Sequence, residues 1–189
     1  MNPSERSDVP VWLLDIDGVV NVVAEKPYPS VWPKSAWQRA HADVDGIRYP
    51  LLVAAPVVDF VSEVHATGSA QVRWHTTWQQ HAVHTFGPLF GFPELAVEHA
   101  PEFGAPPRPR AATGGAPPVS AWWKLAAAER VVAEQQRALL WTDDDLGYAV
   151  QTLGLGAVQE CADCLLISPR TDHGLTPEHL ERIRAFLGM

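Results

Sequence analysis

VWLLDIDGVVN, residues 11–21, is the stretch from which the fold can be read. Four apolar residues, Val11 to Leu14, run without interruption into Asp15. That is the pattern of a short strand buried on both faces, as in a parallel sheet. Asp15 and Asp17 stand one residue apart, and Gly18 follows. Two ionised carboxylates so close repel each other, and a fold keeps them where a cation or a shared proton relieves the repulsion. The pair therefore points to metal-assisted chemistry. The competing reading is a plain turn after a strand, which Asp and Gly also favour.

Around this stretch the chain reads as a single domain of 189 residues, its core running from about 11 to 187. Val22 to Pro50 forms a flap: three prolines up to Pro33, then Asp45-Gly46 between two short strand-like runs, a hairpin signal. Val57, Phe60, Val61 and Val64 recur at helical spacing, which predicts a helix over Pro56–Ala66. Ala70–Trp74 reads as the second strand, followed at once by Thr76 and Thr77, and then by a short helix from Trp78. Leu95–Ala100 reads as the third strand. Residues 101–120, with six prolines and three glycines, read as a flexible loop carrying Arg108 and Arg110. Ser120 is placed to cap a helix that carries Lys124. Ala138–Trp141 is a fourth buried strand ending at Thr142 and the three aspartates Asp143, Asp144 and Asp145. Leu146, Ala149, Val150 and Leu153 mark the next helix, CLLIS the fifth strand, and Thr176-Pro177 the start of the last helix.

Strands alternating with helices predict an α/β fold, a Rossmann-like parallel five-stranded sheet with helices on both faces. In such sheets ligands bind beyond the carboxyl ends of the strands. Asp15, Thr76, Asp143 and Arg170 each follow a different strand, and acidic pairs stand after two of them. Fourteen Lys and Arg against 22 Asp and Glu give a net charge of −8. That balance disfavours nucleic acid as a partner, though a locally basic groove is still open to it, and it argues against an anionic membrane surface. The chain has no apolar run near the roughly 18 residues of a membrane span, and its N-terminus lacks a signal peptide's apolar core, so a cytoplasmic location is expected. Cys161 and Cys164 are expected to be reduced structural thiols. Zinc shared with His81 and His84, or a redox role, is the lesser reading.

DIDGV, a Thr after the second strand, a Lys at a helix start and an acidic pair after an apolar strand come in an order that resembles the haloacid dehalogenase (HAD) superfamily of phosphohydrolases. WLLDIDGVVN, the WHTTW of Trp74–Trp78 and the GLTPEHL of Gly174–Leu180 are similar to the HAD domain of "Swiss Army knife" RNA repair proteins, here expected without kinase or ligase partners. The resemblance implies a Mg²⁺-dependent phosphatase acting on a phosphate ester of unspecified identity through an aspartyl-phosphate. Asp15 would be the nucleophile and Asp17 the general acid and base. Asp15, the Asp17 carbonyl and Asp143 would hold the metal, with Asp144 behind them and Asp145 as a helix cap. Thr76, or Thr77 in its place, would bind the phosphoryl oxygens with backbone N–H groups near Gly18. Lys124, with Lys34 as the weaker substitute, would neutralise charge. His75 and the tryptophans Trp74, Trp78, Trp122 and Trp123 read as packing or site walls. The flap is too short for a helical cap domain, so the expected cap is minimal: the hairpin, with the 101–120 loop bringing Arg108 and Arg110 to the substrate. Narrower or different alternatives are a polynucleotide end-processing phosphatase and a non-catalytic phosphate-binding or partner-binding domain of the same fold.

Overall fold

The computed structural model describes residues 9–24, 31–100, 119–152 and 154–189. In chain order the elements are β1 (Val11–Leu14), β2 (Trp37–Val44), β3 (Ile47–Ala54), α1 (Ala55–Thr67), β4 (Gln71–Trp74), α2 (Gly87–Phe90), β5 (Ala96–Val97), α3 (Val119–Glu129), β6 (Leu139–Thr142), α4 (Leu146–Thr152), β7 (Cys164–Ile167) and α5 (Pro177–Leu187). Five strands form one sheet in the order β5-β4-β1-β6-β7, every neighbouring pair parallel. The chain builds outward from β1 on one side and then returns to the other. The reversal falls between β1 and β6, where sheets of this Rossmann-like kind open a crevice at their carboxyl ends. Among the described residues no helix is long and apolar enough to cross a membrane.

The strand pleat divides the core. Trp12 and Leu14 face one layer, packed with Phe60, Val61 and Val64 of α1 and Leu180 and Ile183 of α5. Val11 and Leu13 face the other, packed with Leu125 and Ala128 of α3 and Leu146 and Ala149 of α4. Helices therefore cover both faces, which is why β1 is apolar at four successive positions rather than at alternate ones. The Trp12 indole N–H finds a buried partner, donating to Thr142 Oγ1 of β6 at 3.1 Å.

β2 and β3 form a separate antiparallel hairpin closed by Asp45 and Gly46, both with positive φ, as a two-residue type I′ turn requires. It runs to Ala54, past the expected end of the flap at Pro50, and passes without a break into α1. The third strand is shorter than expected. Only Ala96 and Val97 pair, against Arg73 and Trp74. Gln79 after Trp78 has a positive φ and belongs to a turn, and from Gln80 the chain is helical through Gly87-Pro88. A wide π-turn over Ala82–Phe86 precedes them, and the Gly87 N–H reaches back to the Ala82 carbonyl. That wider turn leaves room for a ring that an ordinary α-turn would clash with. Val150 is exposed rather than part of the core. α3 already includes Ser120, so the helix starts before its expected cap. Cys161 and Cys164 are joined as a disulfide, which corrects the expectation of free thiols and removes both as zinc ligands.

The start of α5 is the best-defined helix end. Thr176 Oγ1 accepts the His179 N–H at 3.3 Å, and the Thr176 N–H donates to His179 Nδ1 at 3.2 Å. Thr176→Ala should lower stability by about 1 kcal/mol. The check is a lower urea midpoint with an unchanged slope.

Candidate active site

Register sets Leu14 level with Trp74 on one side and Thr142 on the other, and Thr142 level with Ile167. The backbone ladder continues one residue past each strand. Asp15 N–H donates to the Thr142 carbonyl at 3.1 Å, His75 N–H to Leu14 at 2.8 Å, and Asp143 N–H to Ile167 at 3.1 Å. Asp15, His75 and Asp143 thus form one row, pointing by alternation to the same face as Leu13 and Trp141, the face that α3 covers. Lys124 of α3 rises between the two carboxylates, its Nζ 2.6 Å from Asp15 Oδ2 and 2.8 Å from Asp143 Oδ2. All three are buried, Asp143 to 1% exposure and Lys124 to 5%. The other oxygens are also engaged. Ile16 N–H donates to Asp15 Oδ1 at 2.8 Å, and Asp145 N–H to Asp143 Oδ1 at 3.0 Å. Asp143 rather than the exposed Asp145 therefore closes the entry to α4.

Asp144 completes the cluster. One carboxylate oxygen each from Asp15, Asp143 and Asp144 lie within 4.8 Å of one another, and this is the metal-capable group among the described residues. Gly18 makes room for it. With φ at +72°, a Cβ there would stand 2.1 Å from Asp144 Oδ2, so no other residue fits without moving that carboxylate. Thr171 Oγ1 donates to the same oxygen at 2.8 Å. Burial raises the Asp15 carboxyl from 3.8 to about 7, with Lys124 opposing and the charge of Asp143 adding. Asp144 is raised as well, first by burial, with Thr171 opposing and the neighbouring aspartates adding. Burial alone would lower the Lys124 ammonium, but Asp15 and Asp143 outweigh it and hold the ammonium above its ordinary range. Three carboxylates against one ammonium leave an excess of negative charge on hard oxygen donors, a set that suits a small divalent cation.

Asp17 lies on the same turn but outside the Lys124 pairing. Its Oδ1 accepts Asn21 Nδ2–H at 2.7 Å and its Oδ2 accepts Trp78 Nε1–H at 2.8 Å. Thr76 is buried at the head of the turn after β4, where its Oγ1 accepts the Trp78 N–H at 3.4 Å, while Thr77 is exposed on the same turn. Lys34 is exposed in a 3₁₀ turn, apart from the two carboxylates that Lys124 bridges. Arg170 pairs with Asp172 at the surface, at 3.0 and 3.1 Å. Arg108 and Arg110 lie outside the described residues, as do the side chains of Ser120 and Trp122.

His75 is a packing residue, fully buried between the rings of Trp123 at 4.9 Å and Trp141 at 5.6 Å. Neither of its ring nitrogens has a hydrogen-bond partner among the described residues. Burial first, and then the nearby charges of Lys124 and Arg130, hold its pKa well below 6.5, so it is neutral. Asn21 and Thr171 are the residues that reading the sequence missed. Asn21 had one signal, a polar residue directly after the apolar pair Val19-Val20. Thr171 had none.

No family model matches the chain, and neither does any curated protein or solved structure.

Lys124→Met should cost roughly 3–5 kcal/mol at pH 8, because it leaves two buried carboxylates without their cation. The sign of the pH dependence follows from Asp15. Its folded pKa, about 7, lies above the 3.8 of the unfolded chain, so ionising it opposes folding as pH rises through that window. Without Lys124 that opposition grows. The gap between wild type and variant in urea unfolding should therefore be wider at pH 8 than at pH 5.

Proposed function

We propose that the chain is a HAD-type, Mg²⁺-dependent phosphohydrolase that works through an aspartyl-phosphate on Asp15. The observation that carries this reading is the buried Asp15–Lys124–Asp143 triad at the point where the strand order reverses, with Asp17 two residues from Asp15 on the same turn. A structural ion pair needs one carboxylate per ammonium. This site gathers three around one lysine and adds a fourth beside them, more negative charge than a resting fold has use for.

An Asp15 oxygen attacks the phosphorus of a bound phosphate ester, and the bond from phosphorus to the ester oxygen breaks. Asp17 gives that departing oxygen a proton. Asp17, now a carboxylate, takes a proton from water as the water attacks the aspartyl-phosphate, which releases inorganic phosphate and restores Asp15. Lys124 keeps the nucleophile in place and offsets charge on the transferring group. The Thr76 hydroxyl and the Asp17 N–H bind the phosphoryl oxygens. Asp15, Asp143, Asp144 and the Asp17 carbonyl would hold Mg²⁺, which when bound neutralises charge that the carboxylates and the phosphate would otherwise share. The β2–β3 hairpin serves as a minimal cap.

A panel of phosphate esters assayed with Mg²⁺ and with chelator should give phosphate release only with the metal. Asp15→Asn should abolish release, by more than about a thousandfold, while leaving the fold intact. Asp17→Asn should bind Mg²⁺ almost normally but turn over at least about a hundredfold more slowly. Full activity of Asp15→Asn overturns the mechanism.

A further inference from the structure

Asp17 differs from the other carboxylates in where its support comes from. Neither of its partners is a cation: one is the Asn21 amide and the other the Trp78 indole. Both partners are themselves held by the hairpin. Asn21 is buried, and its Oδ1 accepts the N–H of Leu52 in β3 at 2.9 Å, while the Val22 N–H donates to the Leu52 carbonyl at 2.8 Å. The Trp78 ring meets the Tyr49 ring of β3 edge to face at 5.5 Å, and Phe86 packs against it at 5.9 Å. Two independent arms therefore run from one strand of the hairpin to the two oxygens of one carboxylate. Neither arm touches the Lys124 cluster. Tyr49 stays 38% exposed on the hairpin even so.

We infer that Asn21 and Trp78 are positioning residues for proton transfer: they fix the Asp17 carboxyl beside the leaving oxygen, and the hairpin fixes them. This rests on the phosphatase reading above. A carboxyl group on a surface turn samples several rotamers. Two donors from different directions leave it one, and a misplacement of about 1 Å costs proton transfer far more than it costs binding. The hairpin's contribution to catalysis is then orientation of the acid, separate from any role in covering the substrate.

The consequence differs from that of a structural role because proton donation matters most when the leaving group is poor. An alkoxide needs the proton as the bond breaks, whereas p-nitrophenolate leaves without it. Trp78→Phe keeps the ring between Tyr49 and Phe86 and removes only the N–H. Asn21→Ala removes the donor to Asp17 without placing a new charge beside it, and also gives up the bond to the Leu52 N–H. Each variant is assayed with Mg²⁺ on p-nitrophenyl phosphate and on ethyl phosphate, with folding checked by near-ultraviolet circular dichroism. Each should lose about a hundredfold in kcat/KM on ethyl phosphate and less than about threefold on p-nitrophenyl phosphate. Asp17→Asn should show the same bias in larger measure. Equal losses on both esters, or no loss on either, in a variant that folds overturn the inference and leave the phosphatase reading standing. The two variants disturb different arms, so one that fails to fold leaves the other to decide. Wild-type protein that releases no phosphate from either ester overturns both.

Discussion

One buried ammonium between two carboxylates organises this molecule. Lys124 enters from α3, Asp15 from the end of β1 and Asp143 from the end of β6, so the triad ties a helix to the two central strands at their shared end. An isolated charge at that depth would be too costly to keep, and each of the three is tolerated only because the others are present. The surrounding layer is apolar and aromatic. Trp123, adjacent to Lys124, and Trp141, two residues before Asp143, enclose the neutral His75 beside the triad. That wall keeps water away from the charges and raises the Asp15 carboxyl to about 7.

The turn after β1 is held from several sides. Leu52 of the hairpin bonds both Asn21 and Val22, and the segment after β7 bonds Val19 through the Leu175 N–H and Val23 through the Thr171 carbonyl. Thr171 also reaches Asp144. The segment following the last strand thus supports both acidic turns, although it offers no ligand of its own. Geometry at the candidate centre depends on chain that is distant in sequence and chemically unremarked.

This explains what could and could not be read from the residues. β1, its two-faced burial and the acidic ends of β1 and β6 were legible because they are local: a run of apolar side chains and the carboxylate that ends it. The parallel order followed from the alternation of strand and helix. Lys124 had no local signal and was found through a resemblance in the order of motifs. Asn21, Trp78 and Thr171 act through partners brought near by folding, so their roles had no signature at their own positions, and Trp78 read only as a wall. The short β5 had the same cause. Leu95–Ala100 looks like a strand by composition, but pairing needs a neighbour, and β4 offers it only Arg73 and Trp74. The cysteines misled in a different way. Two thiols three residues apart carry no mark of their oxidation state.

The level row at the strand ends has a consequence for how this chain can vary. Asp15 faces Lys124 and Ile16 faces the opposite apolar layer because the pleat alternates, with no further instruction. Deleting or inserting a single residue within Val11–Leu14 would exchange them, sending a carboxylate into hydrocarbon and an isoleucine to the ammonium. Length in β1 is therefore as restricted as identity. The tip at Asp45-Gly46, where a Cβ on the glycine would meet nothing within 4 Å, has no such parity to keep. Lineages of this protein should accumulate length changes at the tip of the hairpin and almost none in β1.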